Sequence, residues 1–503
     1  MQEASSLLAP SSGVSIPDGQ PTDPTVRASG ADRADTIVNV SNIAMGTGML
    51  ALPYALQHGG LVVGLVGLAV MLYWNYLCCE FLVECKDELQ GTGPSGKAPT
   101  EAKRDARILR KIRKPTFATI GYMAIGPAGE WLVNGSIAVT LLGACTTYLI
   151  YANDLLQDTP LYVGHGLPAS QATLLNTALY CLCMYPLTMV KNMAPLAKVS
   201  VLAVVALFAG FAVIIYVGVD TYGWPSLEDL LHWPNLVFPT DIKSFSDYFG
   251  VAVFSFGVTV MVFNVQESMS DQNDFLDTLI WSMDLVWAAY VVTAGVAAMV
   301  FSPAPGGVSD DVMKDLPTGT PVSSLIRLFM CAAALLTYPL VIQPVVEMLE
   351  RAVAGGGGRE PLKDIATAAP AYGALGKDGK GTGTDVQDAV EAGQAPPYPT
   401  MGASTGVLLG TGGKLAVRAA LVLTTGVFAT CVPHFGLVIS LIGCASISLA
   451  SFVLPPLFHL ILCRKRLDLA AKAGEGLLLA VGAFVCVFTT GTTIAGALKS
   501  GGE

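Results

Sequence analysis

Residues 39–60 read NVSNIAMGTGMLALPYALQHGG. The stretch is apolar enough to enter a bilayer, yet it holds two asparagines, a Gly-Thr-Gly and a proline. In lipid, an unpaired backbone N–H or C=O costs several kcal/mol, so broken helices persist only where protein or a cavity serves the freed groups. Gly46 and Gly48 allow unwinding because glycine tolerates dihedrals that other residues avoid. Pro53 removes a donor and disfavours the helical bond back to residue 49. An unwound Gly46-Thr47-Gly48 frees backbone amides, and the half-helix behind it points its positive end at an anion such as an amino acid carboxylate. Small residues three or four apart also let transmembrane helices approach one another, as glycine in a span usually does. Gly-x-Gly alone leaves both readings open.

The rest of the chain supplies the setting. Of its 503 residues, 52% are hydrophobic and only 13% charged, against roughly a quarter charged in soluble proteins. The apolar residues fall in blocks of bilayer-spanning length. Eleven spans are expected, near 36–56, 61–85, 129–152, 172–190, 196–218, 246–268, 280–301, 322–350, 415–432, 435–463 and 474–497. With the N-terminus cytosolic, inner segments hold 24 of the 28 Lys and Arg, as the positive-inside rule demands. Residues 1–35 read as a disordered cytosolic tail and 36–498 as the transmembrane domain. The cytosolic loops fall at 86–114 and 353–413, the latter of linker composition (AGGGGRE, GKDGKGTGTD, GQAPPYP). Glu3, Leu7 and Leu8 fit an acidic dileucine sorting signal, which favours an endomembrane (vacuole, lysosome or vesicle) over the plasma membrane.

Most of the eleven cysteines fall inside spans and none well within an outer loop, so no disulfide framework is expected. No Cys/His spacing suggests zinc. HExxH, Walker and CxxC patterns are absent, so an enzyme is not expected. Spans without charge rings disfavour a channel.

A second interrupted span, YFGVAVFSFGVTVMVFNVQESM (248–269), places Gly257 and Thr259 at mid-membrane and Asn264, Gln266 and Glu267 toward its inner end. Interrupted spans one and six fit two inverted five-helix repeats framing a midplane site, with an eleventh helix outside them. Phe254, Phe256 and Phe263 are candidate walls of that site, and Gly257 leaves room for a small substrate. Tyr54 and Tyr338 neighbour it.

Residues 39–60 resemble the first-helix signature of the amino acid/auxin permease family, within the amino acid–polyamine–organocation superfamily. YFGVAVFSF, LLTYPLVIQPVVEMLER (335–351) and VPHFGLVISLIGCASISLASFVLPPLFHL (432–460) agree with it. Asn39-Val-Ser-Asn42, Leu52-Pro-Tyr-Ala, His58-Gly-Gly and Val432-Pro-His-Phe look most like its vesicular inhibitory branch. The resemblance covers about residues 36–470 outside the two loops. It implies an all-α, LeuT-like 5+5 carrier with one extra helix, moving amino acids through Gly46, Thr47, Gly48, Phe254, Phe256 and Gly257.

For the coupling ion two readings stand. Asn42 and Thr337 resemble positions that help hold Na⁺ in the sodium-coupled branch, and a hard cation wants such oxygen ligands; equally, they can cross-link helices by hydrogen bonds. Asn39 aligns with a histidine of proton-coupled members and cannot titrate. Glu267 remains an ionisable candidate for H⁺, or a carboxylate snorkelling beside Asp271. Glu80, Glu84, Glu130 and Asp284 read as interfacial, and His434 and His459 as structural. Glu347 and Glu350 with Arg351 read as the paired inner end of span eight. No cofactor is expected beyond a coupling cation, Na⁺ or H⁺. The expected partners are an amino acid and the lipid bilayer, with no nucleic acid, and a monomer. A carrier of small neutral amino acids is the expectation; a nutrient sensor on a carrier fold is the alternative.

Overall fold

The computed structural model describes residues 32–90, 115–189, 194–353 and 411–500, apart from a few positions in connecting loops. The tail with Glu3, Leu7 and Leu8, and most of the two long loops, lie outside the described residues. Every regular element among those described is helical, and each expected span falls on a helix.

The chain opens with α1 (Arg33–Ala44) and α2 (Thr47–Gly59), two halves of one interrupted helix. α3 (Leu61–Gln90) turns back at Gly60, whose φ of 85° suits glycine alone. A short α4 (Phe117–Ile125), which hydropathy did not announce, meets α5 (Pro127–Leu156) at Gly126, φ 72°. Here Gly121 and Gly129 pass so closely that a Cβ on Gly129 would collide with the Gly121 carbonyl. α6 (Ala169–Leu187) and α7 (Ala194–Tyr222) follow. The second interrupted helix is α8 (Ile242–Ser255), a tight 3₁₀ stretch, and α9 (Val262–Ser268).

α10 (Phe275–Val300), α11 (Pro321–Val353), α12 (Thr411–Cys431), α13 (Phe435–Leu462) and α14 (Leu469–Ser500) complete the bundle. Eight helices among the described residues are long and apolar enough to cross a membrane. The first interrupted helix falls short because neither half has the length. α10 and α13 contain π turns at Val291–Gly295, Gly443–Ile447 and Leu449–Val453. Such widened turns free backbone groups and often mark functional sites. Beside one of them Gly443 lies against Gly250 of α8 with no space for a Cβ.

The outer surface is apolar. Trp131, Leu182, Phe484 and Leu498 are each about two-thirds exposed or more, a belt suited to lipid. α14 is the most peripheral span, with 17% of its apolar window buried against 72% for the α8–α9 span. All eleven cysteines are free thiols.

Two faces of the bundle matter below. The N-side carries Arg33 and the ends of α3, α9, α11 and α13; the far face carries the 301–320 loop.

Candidate functional site

The break between α1 and α2 is where the sequence placed it, though narrower. The last helical residue of α1 is Ala44, and α2 begins at Thr47 with Gly46 as its N-cap in a non-helical conformation, φ −104°, ψ −146°. Gly46, having no side chain, gives the first amides of α2 no side-chain cap. Met49 N is taken by the Gly46 carbonyl at 3.2 Å.

Gly48 is not unwound; it is the second residue of α2. Its role is close approach, because a Cβ there would fall 2.6 Å from Ser255 Oγ and 3.0 Å from Ser255 Cα. The two interrupted helices therefore touch at their breaks.

Tyr290 of α10 joins them. Its hydroxyl lies 2.7 Å from the Ala44 carbonyl and 2.9 Å from the Ser255 carbonyl, the last residues of α1 and α8. Phe256 is fully buried edge-on against the same ring, 5.4 Å between centroids. Tyr290 could not be read from the sequence, since nothing local to WAAYVVTAG points 246 residues back to Ala44.

A cavity of about 450 Å³ opens beside the first break, within the size range of small-molecule sites. α1 and α2 give it Asn39, Ile43, Gly46 and Thr47; α5 gives Tyr148 and Tyr151; α9 gives Asn264 and Ser268; α11 gives Thr337. Asn39, Ile43, Asn264 and Ser268 are exposed and lie toward the N-side, so the mouth is there. Among the described residues, its lining contains no Asp, Glu, Lys, Arg or His. The Tyr151 hydroxyl is buried with no hydrogen-bond partner, a donor left free at the wall.

Of the residues singled out from sequence, Gly46, Thr47 and Thr337 line this cavity. Gly48, Phe254, Phe256 and Gly257 do not. Phe254 is partly buried against the core, and a Cβ on Gly257 would fall 3.2 Å from the Ile447 side chain. Thr337 Oγ1 donates to its own helix at Ala333 O, 2.8 Å away. The Asn42 side chain lies outside the described residues. Glu267 is half-buried in α9 and does not line the cavity. Tyr338 is fully buried, its hydroxyl 2.7 Å from Thr425 Oγ1. Tyr54 stacks on His58 instead, 4.1 Å between ring centroids. Glu350 pairs with Arg418 Nε at 3.0 Å.

The far face is sealed above this cavity. Gln57 Nε2 donates to Ala298 O at 3.0 Å, and its Oε1 accepts from Val308 N at 2.8 Å, binding α2 to α10 and the loop. Lys314 bridges Asp154 of α5 at 2.9 Å and Asp310 at 3.0 Å; Asp310 also accepts from Gly436 N at the start of α13. Burial works to lower the Lys314 ammonium, but the carboxylates of Asp154 and Asp310 outweigh it and hold it protonated. Asp311 is completely buried; Oδ1 accepts from Met313 N at 3.0 Å while Oδ2 has no partner, and burial pushes its carboxyl well above the usual range.

A lipid-facing helical bundle with two interrupted helices meeting at a one-sided central cavity has the form of a membrane transporter. The chain belongs to the transmembrane amino acid transporter protein family, whose pattern matches residues 31–495. It is 26% identical to the vesicular inhibitory amino acid transporter of Mus musculus over 85% of this chain and 69% of that protein. It is 23% identical to amino acid transporter ANT1 of Arabidopsis thaliana over 94% of this chain and 95% of that protein. Among solved structures, an outward-open Na⁺-coupled sialic acid symporter gives a TM-score of 0.46 at 14% identity, over 93% of this chain and 89% of that one.

Proposed function

We propose that this chain is a secondary active carrier of small neutral amino acids, working by alternating access across an endomembrane with its N-side in the cytosol. The observation that carries the reading is the cavity at the Gly46 break. Uncapped amides at the start of α2 and the free Tyr151 hydroxyl suit a carboxylate. The C-terminal carbonyl end of α1 suits the ammonium group of the same molecule. With no ionised side chain among the described residues of the lining, a charged substrate side chain would find no counter-ion there, so neutral amino acids are preferred. Eleven spans, the extra one being α14, accord with a cytosolic N-terminus. A 5+5 LeuT-like arrangement accords with breaks in the first and sixth.

The closed far face and the open N-side mouth suit a carrier resting inward-open. Asn42 and Thr337, on α1 and α11, are the proposed place for Na⁺ if sodium drives the cycle, and Glu267 a place for H⁺ if protons do. The test is uptake of labelled neutral amino acids by the purified chain in liposomes, under imposed Na⁺ and pH gradients. Accumulation driven by pH and indifferent to Na⁺ removes the role of Asn42 and Thr337. Saturable binding without any uptake removes the carrier reading in favour of a sensor.

A further inference from the structure

Away from the cavity, at the N-side ends of three helices, the His459 imidazole is held at both nitrogens by carboxylates. Nδ1 lies 2.9 Å from Glu475 Oε2 of α14, and Nε2 lies 2.9 Å from Glu84 Oε2 of α3. The ring is 2% exposed and stacks on Phe81, 4.9 Å between centroids. Glu475 is buried, whereas Glu84 is about half exposed.

The proton count follows from the donors. A neutral imidazole has one N–H and one lone pair, and an ionised carboxylate only accepts. Two hydrogen bonds around this ring therefore require a second proton, carried by the imidazole or shared with a carboxylate. When it leaves, one nitrogen lone pair faces a carboxylate oxygen, and that contact becomes repulsive. The half-exposed Glu84 can turn to water, whereas buried Glu475 cannot. The remaining N–H then stays with Glu475, and the α3 contact is the one released.

We propose that Glu84, His459 and Glu475 form a proton-binding site whose occupancy fastens α3 to α13 and α14 on the N-side. The proton enters through Glu84. α3 is also tied to the cavity wall, because Lys86 Nζ donates to Gln266 Oε1 of α9 at 2.7 Å, next to Val265 of the lining. Release of the Glu84 contact loosens α3, and with it α9, relative to the α13–α14 pair, leaving the Glu88–Arg466 ion pair between them. The proton site stands on its own geometry; its link to substrate movement rests on the carrier reading above.

The other titratable groups near the ring are few. From α3 come Glu80 and Cys85, with Glu88 engaged by Arg466 Nη1 at 2.9 Å and Asp87 near Lys86 and Arg466. The turn after α13 adds Cys463 against the ring, with Arg464, Lys465 and Asp468 exposed beyond it. α14 adds Lys472 one turn before Glu475, and α4 has only Tyr122. No group of three or more such side chains among the described residues has the geometry of a metal site.

The test is a ¹³C-histidine NMR titration of the full chain in nanodiscs. The chain has five histidines, and His459→Gln identifies the relevant signal by its loss. In Glu84→Gln and Glu475→Gln, both conservative enough to fold, the His459 midpoint should fall by about 1 pH unit or more, the effect of removing one close opposite charge. A midpoint unmoved in both variants, or a ring neutral at every pH, overturns the site. In liposomes, Glu84→Gln should shift the pH profile of amino acid uptake by a similar amount; an unshifted profile overturns the link to transport. Absence of uptake by the wild-type chain would instead overturn the carrier reading, with the titration still deciding the site.

Discussion

On the far face, the loop before α11 is built into the bundle by Gln57, Asp310 and Lys314, and its Val312 and Met313 are fully buried. On the N-side, the Lys86 to Gln266 bond lies next to the cavity lining and the Glu84 to His459 contact lies away from it, so neither crosses the open mouth. The first set closes the path by threading backbone into a packed core. The second holds helices in position while leaving the path clear. Opening the far face has to undo the buried, neutral hydrogen bonds of Gln57 together with the partly exposed ion pairs of Lys314. The N-side contacts, with Lys86, Gln266 and His459 buried and Glu84 half exposed, close no path.

The comparison can be broken most severely at the contact between the breaks. Gly48→Ala puts a Cβ into the Ser255 backbone, an overpacking cost of about 1–3 kcal/mol. It should reduce uptake in liposomes by about fivefold or more, the lower end of that energy expressed as a rate, while Gly46→Ala, in open space, should leave the fold intact by thermal melting. Next, Gln57→Ala leaves the Ala298 carbonyl and the Val308 amide buried without partners, costing about 2 kcal/mol or more. The far face should then open, seen as faster thiol labelling of a cysteine placed at Val308.

Asp311→Asn sharpens the contrast through pH. Because burial raises the folded carboxyl, the folded chain binds this proton more tightly than the unfolded one. Wild-type stability from this group is complete below the unfolded value, about 3.9, and is lost as pH rises toward the raised folded value. Asn does not titrate, so the melting temperature of the variant should exceed that of the wild type by a margin that widens above about pH 4. A margin independent of pH would mean that Asp311 is not held protonated. The smallest effect is expected from Lys314→Met. Its partners are partly exposed, so the loss should stay below about 1 kcal/mol, measured by denaturant melting.

Hydropathy was enough to locate the helices because each must present some twenty apolar residues to lipid. Glycine was enough to locate the first break, where helical dihedrals end at Ala44 and resume at Thr47. What could not be read was which residues meet. Glu84 looked interfacial and His459 structural when taken separately; their pairing spans 375 positions. Gly48 and Gly46 looked alike in sequence, yet one is pressed against Ser255 and the other faces the cavity. α4 escaped notice because nine residues are too few to register as a span.

A tyrosine hydroxyl owns a single hydrogen, and that of Tyr290 serves two acceptors, one at the end of each first half-helix. Neither carbonyl can withdraw without handing its share to the other. The two interruptions thus compete for one donor: if either half-helix end pulls away, the other takes the whole hydrogen bond.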